Sequence, residues 1–244
     1  MEKTAVVTGA SRGIGAATAR ALAAQGCRVA VCCRERRAQA QAVAAEICAA
    51  GGMALPFCAD VSDEAAVQAM FAAIRRTLGE PEILVNNAGI ARQKLFTEVT
   101  AAEWDEMFGV CVKGAFHCCQ AVLPQMIRRK WGRIINVSSM WGQVGASCEA
   151  PYSAAKAALI GLTKALAKEE GPSGITVNCV APGVIDTEMM AAFSAKEKAA
   201  LAEETPLGRL GTPGDVAAVI AFLASEAGAF VTGQVLCPNG GFVI

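Results

Sequence analysis

Seven short apolar or β-branched runs, at 4–8, 28–33, 54–58, 83–86, 133–137, 176–180 and 234–237, alternate with stretches of helical periodicity along the chain. Few architectures accept that alternation. Runs that are apolar throughout are buried on both faces, and a helix between consecutive strands returns the chain to the same edge, so the strands run parallel. The intervening stretches carry helical stripes: Val67, Met70, Phe71, Ile74 and Leu78 share one face, as do Val216, Val219, Ile220 and Leu223. Thr100 with Glu103 and Ser194 with Glu197 have capping-box spacing, and Thr212-Pro213 sets a cap residue before a proline at the first helical position. There is no linker, repeat or low-complexity segment. The expectation is one α/β domain over 1–244, doubly wound, with a seven-stranded parallel sheet and helices on both faces.

The formal net charge is zero, so nothing points to a nucleic-acid partner or an anionic membrane surface. No apolar run reads as long enough to span a bilayer. Residues 1–10 read as a strand and a turn rather than a signal peptide, and the expected location is the cytoplasm. The eleven cysteines are odd in number, lack a C-x-x-C pair, and accompany a single histidine, His117. No metal site is expected from them; small, buried, reduced thiols are.

After the first strand comes Thr8-Gly9-Ala10-Ser11-Arg12-Gly13-Ile14-Gly15, which opens the first helix. Glycines let a backbone turn tightly against a pyrophosphate, and a helix N-terminus offers free N–H groups and a positive dipole end. The spacing is Gly-x-x-x-Gly-x-Gly, and the structural alternative is a plain strand-to-helix turn. Where an NAD site carries a carboxylate at the end of the second strand, this chain has Cys33 followed by Arg34. With Arg12 in the turn, that favours a 2′-phosphate and hence NADP, the alternative being that Arg34, Arg36 and Arg37 are a solvated helix start. Asp60-Val61 follows the third strand, where Asp60 either meets adenine or is a helix N-terminal acid beside Ser62 and Asp63. Asn86-Asn87-Ala88-Gly89 follows the fourth, either packing against adenine and ribose or forming an ordinary turn.

Tyr152 and Lys156 lie four residues apart, on one face of a helix. Ser139, thirteen residues before the tyrosine, ends a buried strand run, where open α/β sheets bind ligands. The reading is that Tyr152 exchanges a proton with a carbonyl or alcohol oxygen, that the Lys156 cation makes that proton labile, and that Ser139 holds the oxygen.

In this order and spacing, residues 8–15, Asp60-Val61, residues 86–89, Ser139, Tyr152-x-x-x-Lys156, Pro182-Gly183 with Ile185 and Thr187, and the tail Asn239-Gly240-Gly241 resemble the short-chain dehydrogenase/reductase family. The match runs over essentially the whole chain. The resemblance implies a Rossmann-type domain and hydride transfer between nicotinamide and a carbonyl carbon. Ser139, Tyr152 and Lys156 are then catalytic. Gly9, Ser11, Arg12, Gly13, Ile14, Gly15, Arg34, Asp60, Val61, Asn87, Ala88, Gly89, Tyr152, Lys156, Pro182, Gly183, Ile185 and Thr187 would bind NADP. Pro206-Leu207-Gly208-Arg209 and the tail from Thr232 are similar to those of 3-oxoacyl-[acyl-carrier-protein] reductases of fatty-acid synthesis, which implies a carrier-bound ketone. A hydroxysteroid or other secondary-alcohol dehydrogenase, and a dinucleotide-binding sensor that has lost catalysis, are the alternatives.

One position departs from the family. Cys111 stands where members usually carry an asparagine that helps hold a water linking the lysine to solvent; the backbone carbonyl there can still hold that water, so the relay is expected to survive impaired, with plain packing or a redox role as the other readings of the thiol. Met140, Trp141, Met189, Met190 and Phe193 read as an adaptable apolar wall or lid for the substrate, or as packing against the body or another subunit. Arg128-Arg129-Lys130 would either meet an acidic carrier protein or stabilise a helix C-terminus, and Ser173 stands where carrier-protein enzymes often have a second basic residue. A homotetramer is expected from the family, with Phe222 and the apolar tail at subunit contacts.

Overall fold

The computed structural model describes residues 3–191 and 193–244, the Met189 side chain excepted. Its strands are β1 (Thr4–Val7), β2 (Arg28–Cys33), β3 (Met53–Cys58), β4 (Pro81–Asn86), β5 (Gly132–Val137), β6 (Ile175–Val180) and β7 (Val235–Leu236). They form one seven-stranded sheet in the order β3-β2-β1-β4-β5-β6-β7, every pair parallel. The chain winds outwards from β1 to β3, then resumes on the other side of β1 at β4. The connections leaving β1 and β4 therefore diverge and open a crevice at the carboxyl ends of the strands.

Helices α1 (Gly13–Ala24), α2 (Arg37–Ala49) and α9 (Pro213–Ala224) cover one face; α3 (Glu64–Leu78), α5 (Gly114–Arg129) and α7 (Ala150–Glu170) cover the other. Shorter helices α4 (Ala101–Phe108), α6 (Trp141–Val144) and α8 (Ala195–Glu204) complete the set. Each large helix buries the stripe its sequence carries. Val67, Phe71, Ile74 and Leu78 of α3 and Val216, Ile220 and Leu223 of α9 are all fully buried. Capping boxes at Thr100, Ser194 and Thr212 start α4, α8 and α9, and Asp63 accepts the amides of Ala65 and Ala66 at the start of α3. Pro56 sits in β3, an edge strand, where a missing N–H removes no central ladder bond.

Helix α4, one π-helical turn over Gly109–Lys113 and α5 run on as a single helix, Ala101–Arg129. By length and composition it could cross a membrane, contrary to the sequence expectation. It is instead a core helix: 56% of its most apolar stretch is buried, against α3, β4 and β5.

A buried polar chain fixes α7 on the sheet. Asn86 Nδ2 donates to Asn136 Oδ1 at 2.9 Å, Asn136 Nδ2 to Thr163 Oγ1 at 2.9 Å, and Thr163 Oγ1 to the Leu159 carbonyl at 2.7 Å. Between buried groups such bonds are directional and costly to break. The helix that carries Tyr152 and Lys156 is thereby held at a set height over β5.

Candidate active site

The crevice is a cleft of about 1040 Å³, and every site residue named from the sequence lines it. At its floor, Gly9 and Gly13 have φ of 63° and 55°, conformations that a side chain resists. A Cβ on Gly15 would stand 2.6 Å from Asn87 Nδ2 and 2.8 Å from the Ala10 Cα. Thr8 and Asn87 lock this turn. Thr8 Oγ1 accepts the amides of Asn87 and Ala88, each at 3.0 Å, and Asn87 Nδ2 donates to the Thr8 and Gly9 carbonyls at 2.9 and 3.1 Å. The Asn87 amide nitrogen is thus engaged by the turn itself. No side chain caps the N-terminus of α1 and no acid stands in its first turn, which leaves a positive helix end facing the cleft.

Three guanidiniums gather at one end. Arg12 and Arg36 both meet the Glu188 carboxylate, Arg36 at 3.2 Å, and hydrogen bonding and charge from Arg12, then Arg36, hold that carboxyl below its ordinary value. Arg34 lies between Glu35 at 3.0 Å and Asp60 at 3.9 Å. Partial burial works to raise the Asp60 carboxyl, but hydrogen bonds from Ser62 and the Arg34 charge outweigh it, and the net shift is downward. One oxygen of Asp60 takes both the Ser62 amide and hydroxyl, while the other faces Arg34.

At the opposite end stand Ser139, Tyr152 and Lys156. Lys156 is 3% exposed; its Nζ donates to the Val137 carbonyl at 2.8 Å and lies 5.6 Å from the centre of the Tyr152 ring. Ser138 Oγ, just past β5, donates to the Lys156 carbonyl at 2.7 Å, a further tie to α7. Ser139 Oγ accepts the Trp141 amide at 3.2 Å. A Cβ on Gly89 would lie 3.3 Å from Lys156 Nζ and 3.6 Å from Cys111 Sγ, so the glycine leaves room for both heads. Cys111 is buried in the π-helical turn, its sulfur 3.8 Å from the Ile90 carbonyl and 3.9 Å from Met107 Sδ.

Met140, Trp141, Met190 and Phe193 line the cleft as expected, and the Met189 side chain lies outside the described residues. Four polar residues that also line the cleft, Arg92, Gln93, Ser147 and Glu149, went unnoticed in the sequence. Burial raises the Glu149 carboxyl, opposed by a 3.2 Å hydrogen bond from Gln93. Its signal was its place at the N-cap of α7, three residues before Tyr152. Glu188 was missed too, since its role depends on two arginines distant in sequence. Arg128, Arg129 and Lys130 close α5, which runs back to the amino end of β5, so within one chain they lie at the far end of the helix from the cleft. Arg129 pairs there with Glu82 at 3.2 Å.

A family model described as "Enoyl-(Acyl carrier protein) reductase" matches residues 9–243. The chain belongs to the short-chain dehydrogenase/reductase family. Among similar members are the 3-oxoacyl-[acyl-carrier-protein] reductase FabG of Staphylococcus aureus, 44% identical over 99% of this chain and 98% of that protein. That of Escherichia coli is 42% identical over 98% and 96%. Nodulation protein G of Azospirillum brasilense is 43% identical over 98% of each. A crystal structure of a putative gluconate dehydrogenase from Agrobacterium tumefaciens superposes with a TM-score of 0.95 at 31% identity, covering 99% of this chain and 97% of that one. As a member of the short-chain family, this chain is an oxidoreductase acting on CH–OH groups with a nicotinamide dinucleotide.

Proposed function

We propose that the protein reduces a 3-oxoacyl group, carried on acyl-carrier protein, to the 3-hydroxyacyl group with NADPH. The observation that carries this reading is one cleft with Ser139, Tyr152 and Lys156 at one end and Arg12, Arg34 and Arg36 at the other. The cofactor fits the residues present. The uncapped start of α1 suits a pyrophosphate, the glycine turn has no side chains to obstruct it, and the guanidiniums suit a 2′-phosphate, with no carboxylate ending β2 to hold a free ribose hydroxyl. Ile14, Asp60, Val61, Ala88, Gly89, Pro182, Gly183, Ile185 and Thr187 would complete its walls.

When bound, the nicotinamide supplies the hydride. Ser139 Oγ, which already accepts the Trp141 amide, turns its own proton toward the substrate oxygen and stabilises the charge that grows there. Tyr152 delivers the proton as general acid. Lys156, anchored on the Val137 carbonyl, sets its ammonium beside the phenol, and its remaining N–H groups would hold the nicotinamide ribose. In relatives of the same length and high identity the named substrate is 3-oxoacyl-carrier protein, and Trp141, Met190 and Phe193 offer apolar contact for an acyl chain.

A second reading, a dehydrogenase of another secondary alcohol, is favoured by the polar lining of Arg92, Gln93, Ser147 and Glu149. The assembly is proposed to be a homotetramer in the cytoplasm, with the exposed Phe116 and Phe222 at subunit contacts. NADPH oxidation measured with acetoacetyl-carrier protein, oxo-steroids and small polyhydroxy ketones tests the function. Turnover fastest with the carrier-bound substrate is expected. Preference for a free ketone supports the second reading, and nucleotide binding without turnover of any of them contradicts both.

A further inference from the structure

We propose that Cys33 and Cys58 form a peroxide-sensitive dithiol whose oxidation to a disulfide weakens nucleotide binding. The two are register partners at the ends of neighbouring parallel strands, so their side chains share one face of the sheet. Their sulfurs are 3.2 Å apart. Adjacent strands lie about 4.8 Å apart, inside the range of roughly 4.4–6.8 Å that Cα atoms of a disulfide occupy. Both thiols are free in this structure. Cys27, Cys32, Cys111, Cys118, Cys119 and Cys179 are all buried, whereas this pair joins a surface thiol to an interior one: Cys58 is exposed on edge strand β3, and Cys33 is buried and lines the cleft.

That asymmetry orders the chemistry. Burial, together with the Cys58 hydrogen bond, pushes the Cys33 thiol up to about 12, against a smaller pull from the Arg37 charge. Cys58 therefore meets the oxidant first. Hydrogen peroxide oxidises its thiol to sulfenic acid and leaves as water. The Cys33 sulfur then attacks the Cys58 sulfur; the S–S bond forms, the S–O bond breaks, and the oxygen departs with the Cys33 proton as a second water. A dithiol reductant restores both thiols. A pair of this kind in a reducing compartment is transient and regulatory, not a structural staple.

The consequence follows from position. The Cys33 carbonyl accepts the Ala59 amide at 2.9 Å, and the Cys32 carbonyl accepts the Ala10 amide at 2.8 Å. Drawing the two sulfurs together shifts the strand ends that present Arg34, Asp60 and the glycine turn. This arm rests on the NADPH reading given above.

The full-length protein, treated with graded hydrogen peroxide, is digested and mapped by mass spectrometry, while NADPH and NADH affinities are titrated before oxidation, after it, and after thiol reduction. A linked peptide joining Cys33 to Cys58 and two hydrogens lighter than the thiol pair is expected, with NADPH binding roughly tenfold weaker and recovered on reduction. Cys58→Ser should keep its affinity under peroxide. Oxidation of exposed Cys48, Cys148 or Cys237 without the Cys33–Cys58 link overturns the proposal, as does a link that leaves affinity unchanged. Reduced protein that binds neither nucleotide contradicts the cofactor reading instead, and the mapped link still decides the dithiol.

Discussion

The Lys156 ammonium donates a 2.8 Å hydrogen bond to the carbonyl of Val137, the last residue of β5. A cation on α7 is thereby tied to the strand that leads into Ser139. The space around it is fitted to an ammonium: a Cβ on Gly89 would already come within 3.3 Å of Nζ. A guanidinium is planar and larger, so retaining the charge does not retain the geometry. Lys156→Met is expected to lower kcat by about 10²–10⁴-fold, and Lys156→Arg to restore little of it. Steady-state kinetics check this; an arginine variant with more than a tenth of the parent kcat contradicts it.

Gly15 and Gly161 are both helical glycines, with opposite expectations. At Gly15 a methyl group meets the Ala10 Cα at 2.8 Å and the Asn87 amide at 2.6 Å, with no flexible end to yield. Gly15→Ala should cost about 3 kcal/mol and abolish nucleotide binding. At Gly161, inside α7, nothing lies within 4 Å of an added Cβ. Gly161→Ala should gain about 1 kcal/mol through helix propensity. Urea unfolding of the two variants measures both signs.

Glu103 gives the acid limb of stability a defined contribution. The Thr100 amide first, then Lys94 and the Thr100 hydroxyl, hold its carboxyl down to about 2, against an ordinary 4.5. A carboxyl depressed by folding stabilises fully above its unfolded value and loses that contribution as pH falls toward the folded one. The Tm difference between the parent and Glu103→Gln should be full at pH 7, shrink from about pH 4.5 downward and approach zero near pH 2. A difference constant across that window contradicts the assignment.

Cys111 sits in the π-helical turn beside the Lys156 head, its sulfur 3.8 Å from the Ile90 carbonyl. A thiol bonds water poorly, and an amide bonds it well. Cys111→Asn is expected to raise kcat several-fold and reduce the solvent isotope effect. An unchanged isotope effect would show that proton supply does not run past this position.

The sheet was legible because each buried strand is a continuous apolar run, and all seven appear within a residue or two of their expected ends. The glycine turn and the Tyr152–Lys156 pair were legible because their chemistry depends on local spacing. What escaped depends on distance. Glu188 reaches Arg12 and Arg36 across more than a hundred residues, and Glu149 becomes a cleft residue only because α7 starts there. A long helix closing at Arg128-Arg129-Lys130 was legible, but not its unbroken run from Ala101: three charged residues near its start and a proline, Pro124, hide that continuity in the sequence, while tertiary packing carries it through. The basic end of α5 left two readings open in the sequence, a carrier-protein contact and cations at a helix C-terminus; the direction of the helix, away from the mouth of the cleft, agrees with the second.

Proton delivery by Tyr152 is tested most directly by Tyr152→Phe, assayed for NADPH-dependent ketone reduction alongside a fluorescence titration of NADPH. The ring, and with it the packing beside Lys156, is kept while the hydroxyl is lost. Turnover reduced to background with NADPH binding still measurable is expected. Substantial residual reduction by the phenylalanine variant would contradict the role given to this phenol.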